Sequence, residues 1–183
     1  MNIELIKRDD MEKYRNLILP VVYDELKEAF RYETKKELEY LCLVLKSPEP
    51  AAAIIAELEA TGDINILSIY TLPEFRRKGY GTALVQTAVK VSRGLFQWDE
   101  GETEDDVILK TLFRLPHDME EDFASFLAAN GFTDFILLED EDDEATEAGI
   151  DGEKLNVWSA YAEIHFFTDD TENDTEDDAE KNN

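Results

Sequence analysis

The sequence predicts an α/β protein of the α+β kind, in which helices flank a single mixed, mostly antiparallel sheet. The 183 residues are 43% hydrophobic, which suffices for one core of ordinary size. Short apolar runs typical of strands alternate with longer segments whose apolar residues recur at helical spacing. Along the chain the predicted order is β, α, α, β, β, β, α, β, α, β, β, and one sheet covered by helices is its natural package.

The N-terminal part is predicted to contain one strand and two helices. The strand covers 3–7. A helix over 9–19 follows, because apolar side chains recur there at helical spacing: Met11, Tyr14, Leu17 and Ile18. Pro20 then begins a second helix, since proline suits a first helical turn, where its missing N–H is not needed.

Three strands are predicted next, over 41–46, 51–59 and 64–72. Each is a short apolar run bounded by turn residues. The segment 47–50, Ser-Pro-Glu-Pro, forms the first turn, and 60–62, Ala-Thr-Gly, closes a hairpin.

Helices and strands alternate in the remainder of the chain. A long helix is expected after Gly79, running to about Arg93. The later elements, in order, are a strand over 107–115, a helix over 118–130 that Gly131 ends, and strands over 132–138 and 155–167.

The net charge of −26, from 44 acidic and 18 basic residues, is concentrated in three acidic runs. The runs 99–106, 139–153 and 169–183 together hold 23 acidic residues and one lysine, so the rest of the chain carries only −4. Like charges in blocks repel and favour extended, solvated segments. We therefore expect one folded domain over 1–168 and an acidic disordered tail over 169–183. The acidic excess argues against nucleic acid as a partner, because phosphate backbones are bound by clustered Lys and Arg.

Cys42 is the one cysteine, so an intramolecular disulfide is excluded and a reducing compartment is indicated. Cys42, His117 and His165 lack the short spacings of metal-ligand sets, so no metal site is predicted. No uncharged run approaches the roughly 20 residues that cross a bilayer. The N-terminus also lacks the apolar stretch of a signal peptide. These features predict a cytoplasmic protein that has no membrane contact.

The most informative segment is 69–84, Ile-Tyr-Thr-Leu-Pro-Glu-Phe-Arg-Arg-Lys-Gly-Tyr-Gly-Thr-Ala-Leu. A predicted strand ends there, three consecutive bases and two glycines follow, and a helix begins. Glycine lets the backbone approach a ligand closely, and the free N–H groups of a helix start favour phosphate. Arg and Lys supply counter-charge. The segment therefore indicates an anion site, although a glycine-containing turn with a solvated basic corner is the structural alternative.

The pattern Arg-x-x-Gly-x-Gly at 76–81, with its preceding Leu-Pro-Glu, resembles the acetyl-CoA-binding motif of the GCN5-related N-acetyltransferase (GNAT) family. The helix that ends in Ala-Ala-Asn-Gly-Phe at 128–132 looks like the second motif of that family. The element order over about 3–167 is also similar. This resemblance implies an acyl-CoA N-acyltransferase-like fold and acetyl-CoA as the co-substrate.

The resemblance also implies where the cofactor lies. Backbone amides at the turn would cradle the pyrophosphate, and the strand edge near Thr71 would bind the pantetheine arm. A splay between the strand over 64–72 and the strand over 107–115 would admit the cofactor, and the Thr71 N–H would polarise the acetyl carbonyl. The implied cofactor-binding residues are Thr71, Arg76, Arg77, Lys78, Gly79, Tyr80, Gly81 and Thr82.

Groups that members of the family often use are missing here. Asn65 and Leu67 stand where a carboxylate is often found, and Leu127 stands where a tyrosine would be. Glu120 takes the place of an asparagine that often contacts the cofactor.

Replacement catalytic groups are suggested by strand pairing. If 60–62 closes a hairpin, Glu57 faces Asn65 and becomes a candidate base that takes the amine proton through water. A solvent-facing carboxylate is the alternative interpretation of Glu57. Tyr161 and Tyr70 are candidate acids, but Tyr70 is one residue off the face of Thr71, as a core residue would be.

Together these features predict an N-acetyltransferase that moves acetyl from acetyl-CoA to a primary amine by direct attack. The acidic runs 99–106 and 139–153 favour a cationic small-molecule or peptide acceptor through electrostatic steering. The alternatives are an acyl-CoA-binding regulatory module without catalysis and an acidic interaction protein.

Overall fold

The computed structural model describes residues 1–32, 39–95, 107–115, 120–132, 134–138 and 156–164. The strands are β1 (Asn2–Leu5), β2 (Tyr40–Lys46), β3 (Pro50–Leu58), β4 (Ile64–Thr71), β5 (Val107–Leu115), β6 (Asp134–Leu138) and β7 (Asn156–Ile164). The α-helices are α1 (Pro20–Tyr32), α2 (Tyr80–Leu95) and α3 (Glu120–Ala129). Two 3₁₀ helices cover Arg8–Leu17 and Pro73–Phe75.

The strands form one sheet in the order β1-β2-β3-β4-β5-β7-β6. Every neighbouring pair is antiparallel except β4 and β5, which run parallel. The predicted mixed, mostly antiparallel sheet is therefore confirmed. The predicted hairpin is confirmed as well, because the Glu59 N–H donates to the Asp63 carbonyl at 2.9 Å and Glu57 lies opposite Asn65.

The segment predicted as an α-helix over 9–19 is instead the 3₁₀ helix Arg8–Leu17. Its buried side chains, Met11, Tyr14 and Leu17, are three residues apart, which matches the three residues per turn of a 3₁₀ helix. Ile18 already has an extended backbone, so the helix ends before it. The prediction that Pro20 begins the next helix is confirmed by α1.

Two hydrophobic clusters cover opposite faces of the sheet. On the α2 face, Leu84 and Ala88 of α2 pack with Ile54 and Ile64. On the α1 face, α1 and the first 3₁₀ helix pack with core side chains that include Val44 and Ile55 of the strands. Neighbouring residues such as Ile54 and Ile55 belong to different clusters because side chains alternate along a strand.

The C-terminal elements agree with the predicted order where the structure describes them. The end of α3 is closed at Gly131, whose φ is +85°, and the Phe132 N–H donates to the Leu127 carbonyl at 3.1 Å. The acidic runs, the predicted strand end at 165–167 and the proposed tail over 169–183 lie outside the described residues. Among the helices that the structure describes, none has the length and apolar character of a bilayer-spanning segment.

Candidate functional site

The parallel strands β4 and β5 separate part of the way along the sheet. They pair only over three residues each, from Ile64 opposite Leu109 to Ile66 opposite Thr111. Beyond that point β5 stays paired with β7, and β4 stays paired with β3. The buried Thr111 hydroxyl donates to the Ile66 carbonyl at 2.8 Å, which holds the strands together where the fork begins. The predicted splay is therefore present in the fold.

The β4 edge that borders this fork offers backbone hydrogen bonds. The Leu72 N–H donates to the Ala51 carbonyl of the neighbouring strand at 2.9 Å. Because backbone groups alternate in direction along a strand, the amides of Ile69 and Thr71 point away from β3, into the fork. On the side away from β3, no described strand pairs with this stretch of β4. An extended ligand can therefore add to this edge like another strand.

One extra residue in β4 lies next to the fork. Ile55 is opposite Ser68 and Ala56 is opposite Ile66, so Leu67 has no partner in the register. This is the geometry of a β-bulge, which bends a strand and increases its twist. The bulge comes directly after the last residue of β4 that pairs with β5. It therefore marks the place where the two strands diverge.

The turn from β4 to α2, which we call the phosphate loop (76–82), has the backbone of an anion site. Arg77 and Gly79 adopt positive φ angles of 62° and 76°. The first helical hydrogen bond runs from the Ala83 N–H to the Gly79 carbonyl at 3.0 Å. The amides of Tyr80, Gly81 and Thr82 in the first turn consequently have no acceptor within the helix. The positive end of the helix dipole adds to their attraction for phosphate.

The three bases of the phosphate loop are each anchored to the protein. The Arg76 Nε donates to the Thr71 carbonyl at 3.2 Å, and its guanidinium lies 5.9 Å from the centre of the Tyr70 ring. The Lys78 ammonium donates to the Glu74 carbonyl at 3.0 Å. Arg77 pairs instead with a carboxylate on another element, Asp122 of α3. The predicted positive charge is thus concentrated at the loop.

One face of α3 lies against the phosphate loop. Asp122, Phe126 and Asn130 are four residues apart and so share that face. They contact Arg77, Gly81 and Thr82, respectively. A Cβ at Gly81 would lie 2.9 Å from the Phe126 ring, and the Asn130 amide donates to the Thr82 hydroxyl at 3.3 Å.

Sequence reasoning missed this α3 face. The spacing of four residues was visible in the sequence, but the spacing alone did not identify what the face contacts. Tyr80 is also anchored across the fold, since its hydroxyl donates to the Ser47 hydroxyl in the β2–β3 turn at 2.9 Å.

The candidate catalytic residues lie in one polar row across the α1 face of the sheet. The strand register places these residues side by side in the order Tyr40, Glu57, Asn65, Lys110 and Tyr161. Glu57 and Tyr161 are separated by three strand spacings, or about 14 Å. A single small amine therefore does not contact both side chains directly.

The neighbour of Glu57 on β2 is an aromatic residue, Tyr40, which lies opposite it in the strand register. Tyr40 is half-buried, and burial raises its pKa, with a further contribution from the nearby Glu57 carboxylate. Lys110, further along the row, is held by Glu59 at 3.2 Å to both carboxylate oxygens. Tyr161 is exposed.

Leu127 lies in the α2-face core and is 2% exposed. It has no group that can transfer a proton, and its burial makes it a packing residue. Among the described residues, no three His, Cys, Asp or Glu side chains form a group that could hold a metal ion.

Comparison with protein families gives one informative match. Residues 4–106, more than half of the chain, match the profile described as the Acetyltransferase (GNAT) family. That segment includes the phosphate loop and the β4 edge of the fork. A comparison with curated protein sequences gives no significant match.

Several solved structures share the fold. An IAA acetyltransferase from Bacillus cereus aligns with a TM-score of 0.60 and 14% identity, over 89% of this chain and 99% of its own. A Bacillus subtilis acetyltransferase in complex with CoA gives 0.55 and 14%, over 90% and 99%. The Escherichia coli ribosomal-protein-S18-alanine N-acetyltransferase gives 0.52 and 14%, over 92% and 97%. At these identities the alignments establish a shared fold.

Proposed function

The chain belongs to the GNAT family of acetyltransferases, enzymes that transfer an acetyl group from acetyl-CoA, and we propose that its acceptor is a primary amine that attacks the thioester directly. The amine nitrogen forms a bond to the acetyl carbon and gives a tetrahedral intermediate. That intermediate collapses with loss of the CoA thiolate, which takes up a proton as the amine nitrogen loses one. No residue becomes acetylated in this route.

The fork between β4 and β5 is the observation that supports this proposal most strongly. It leaves the Ile69 and Thr71 amides directed at an opening that ends near the phosphate loop. We assign the phosphates to the loop amides and the pantetheine arm to the β4 edge. The Thr71 N–H then stabilises negative charge that develops on the acetyl oxygen, and the Ile69 N–H is a second donor with the same direction.

An acetyl-CoA titration combined with a thiol-release assay tests the proposal. We expect saturable binding by calorimetry and release of CoA thiol that depends on an added amine. Binding without release for every amine in a broad panel would select the second candidate function, an acyl-CoA-binding module without catalysis. That candidate is favoured by Leu127, which is buried where the family often has a tyrosine. Absence of acetyl-CoA binding would contradict both functions.

Glu57 is the proposed base in this reaction. It lies opposite Asn65, four residues before Ile69 on β4, or about 13 Å along the strand, so it acts through water rather than by contact. We expect Glu57→Gln to lower kcat about 100-fold with little change in the Kd for acetyl-CoA. Glu28→Gln, which removes the same charge from an exposed residue of α1, is the control and should retain kcat. A kcat for Glu57→Gln equal to that of the unmodified protein would remove Glu57 from the mechanism.

Tyr161, three strands away from Glu57 in the polar row, is the proposed acid that returns a proton to the leaving thiolate. We expect Tyr161→Phe to lower kcat with little change in the Kd for acetyl-CoA. If Tyr161→Phe left kcat unchanged, the thiolate would take its proton from solvent.

We also propose that the acceptor amine is cationic. The support is the charge of −15 carried by the acidic runs 99–106 and 139–153, which lie outside the described residues. Steering by these charges should make kcat/KM for a polyamine fall as salt rises, while a neutral amine of similar size is unaffected. Equal rates and equal salt responses for both amines would contradict it. The free Cys42 also leads us to propose a cytoplasmic location.

A further inference from the structure

Arg77 occupies an unusual position in the phosphate loop. Its φ of 62° is a left-handed conformation that costs free energy for any residue with a Cβ, so the backbone here would suit glycine better. A strained residue at a binding loop suggests that its side chain has a role there. The guanidinium offers a planar array of donors that can bind phosphate in bidentate fashion. In the structure this guanidinium is bound to the Asp122 carboxylate of α3.

The Asp122 carboxylate is itself an anion at an anion site. The same α3 face carries Phe126 and Asn130, which contact Gly81 and Thr82 in the first turn of α2. Asp122 is therefore held at the edge of the loop whose amides favour phosphate. The side chains of Arg77 and Asp122 are 73% and 62% exposed. Water therefore screens their ion pair, which contributes little to stability.

From this arrangement we propose that Asp122 is an internal competitor for the cofactor phosphates. Asp122 holds the Arg77 guanidinium while the site is empty and yields it to a phosphate when acetyl-CoA binds. The exchange is favourable because the pyrophosphate as a whole carries two negative charges against one on the carboxylate, and the loop amides bind it as well. Asp122 thereby lowers the affinity for acetyl-CoA, and Arg77 raises it. This inference rests on the proposed function, since it takes the phosphate loop as the cofactor site.

The test is a double-mutant cycle on acetyl-CoA affinity, measured by calorimetry at constant salt. We expect Asp122→Asn to tighten binding about fivefold, because it frees Arg77. Arg77→Ala should weaken binding about tenfold. In the Arg77→Ala background, Asp122→Asn should have a much smaller effect, because the guanidinium for which the carboxylate competes is gone.

Matched controls separate this competition from other effects. Glu121→Gln removes the same charge from the adjacent exposed residue, which lies about 100° around the helix, and should leave the Kd nearly unchanged. Lys90→Met, on an exposed part of α2, controls for the loss of a positive charge. Arg77→Gly removes the backbone strain together with the guanidinium. Weakened binding by Arg77→Gly would show that the side chain, not the backbone, is responsible.

The outcomes distinguish the two proposals. If the unmodified protein binds acetyl-CoA but Asp122→Asn leaves the Kd unchanged or raises it, the competition is wrong and the proposed function stands. Equal tightening by Asp122→Asn in both backgrounds would also overturn it, because the carboxylate would then act only by general repulsion. If the unmodified protein does not bind acetyl-CoA, both proposals fail. Repeating the titrations with 3′-dephospho-CoA identifies the phosphate, since the Arg77→Ala effect disappears if the 3′-phosphate is the partner.

Discussion

Gly79 shows how strongly the phosphate loop depends on one backbone angle. Its φ is +76°, and a Cβ built there meets no atom within 4 Å, so strain rather than crowding limits substitution. We expect Gly79→Ala to lower the free energy of unfolding by about 1 kcal/mol. It should weaken acetyl-CoA binding at least tenfold, because the loop amides no longer converge on one phosphate. Urea denaturation and calorimetry measure the two effects.

Gly94 is the matched control for this substitution. It lies in α2, has no positive φ, and its Cβ also meets no atom within 4 Å. Gly94→Ala should preserve affinity and raise the stability by up to about 1 kcal/mol, because alanine favours helix. A similar loss of affinity in both variants would show that the loop geometry is not what binds the cofactor.

Cys42 is a second residue whose behaviour follows from its surroundings. It is buried, and burial raises the pKa of its thiol from 9.0 to about 12. Between these values the unfolded chain loses the thiol proton while the folded chain keeps it, so stability falls as pH rises from about 9 to 12. Between pH 8 and 10.5 we expect the free energy of unfolding of the unmodified protein to fall by about 2 kcal/mol more than that of Cys42→Ala. Urea denaturation at the two pH values measures this difference.

Thiol reactivity provides a second readout for Cys42. A thiol held in its neutral form reacts slowly, so the native protein should resist a disulfide reagent at pH 8 and react once it is unfolded. Tyr23 and Tyr40 also have raised pKa values, but both variants contain them and their contribution cancels. Rapid labelling of Cys42 in the native state would contradict its burial.

The packing of α2 against α3 is a property of the two elements together. Gly81 has no positive φ, and what excludes a side chain there is the Phe126 ring, which would lie 2.9 Å from a new Cβ. We expect Gly81→Ala to destabilise the protein by about 1–3 kcal/mol, because added volume in a packed contact forces neighbours to shift. Thermal and urea unfolding measure this loss.

A compensating change tests that explanation. Phe126→Leu makes room for the new methyl group. Gly81→Ala should therefore lower the free energy of unfolding much less in the Phe126→Leu background than in the unmodified protein. Gly79→Ala should show no such rescue by Phe126→Leu, since its cost is backbone strain. Equal rescue of both variants would indicate a general effect of Phe126→Leu.

At the level of the whole molecule, the charge of −26 is divided unequally along the chain. We propose that 169–183 is a tail outside the domain over 1–168. Removing the tail takes away a net charge of −7. If it does not pack on the domain, its deletion should change Tm by no more than about 2 °C at physiological salt. At low salt the shorter chain should be the more stable one, because it repels itself less.

Calorimetric scans of both chain lengths at low and physiological salt measure these differences. A fall in Tm much larger than this would place residues of 169–183 within the folded unit. Unchanged kcat/KM for a polyamine after deletion would assign the proposed steering to the other two acidic runs.

Local signals predicted much of the fold and part of the site. The order of elements followed from hydrophobic periodicity, and the turn residues located the hairpin at 60–62 and the end of α3 at Gly131. The 3₁₀ helix Arg8–Leu17 was assigned to the wrong helix type, because the spacing of three residues between Met11, Tyr14 and Leu17 is compatible with both types. The phosphate loop was recognisable because its glycines, bases and helix start are adjacent in sequence.

The tertiary structure alone decided how the site is assembled. Contacts between Arg77 and Asp122, Gly81 and Phe126, and Ile66 and Thr111 each join residues that are 45 apart in the chain. Sequence periodicity shows that a face exists but does not show which distant face it meets. The same holds for the polar row that separates Glu57 from Tyr161, because register between strands is set by pairing across the sheet. By itself the sequence therefore determined the order of the elements and the position of the loop that has the backbone of an anion site. Packing decided which carboxylate stands beside that loop and which backbone amides face the fork.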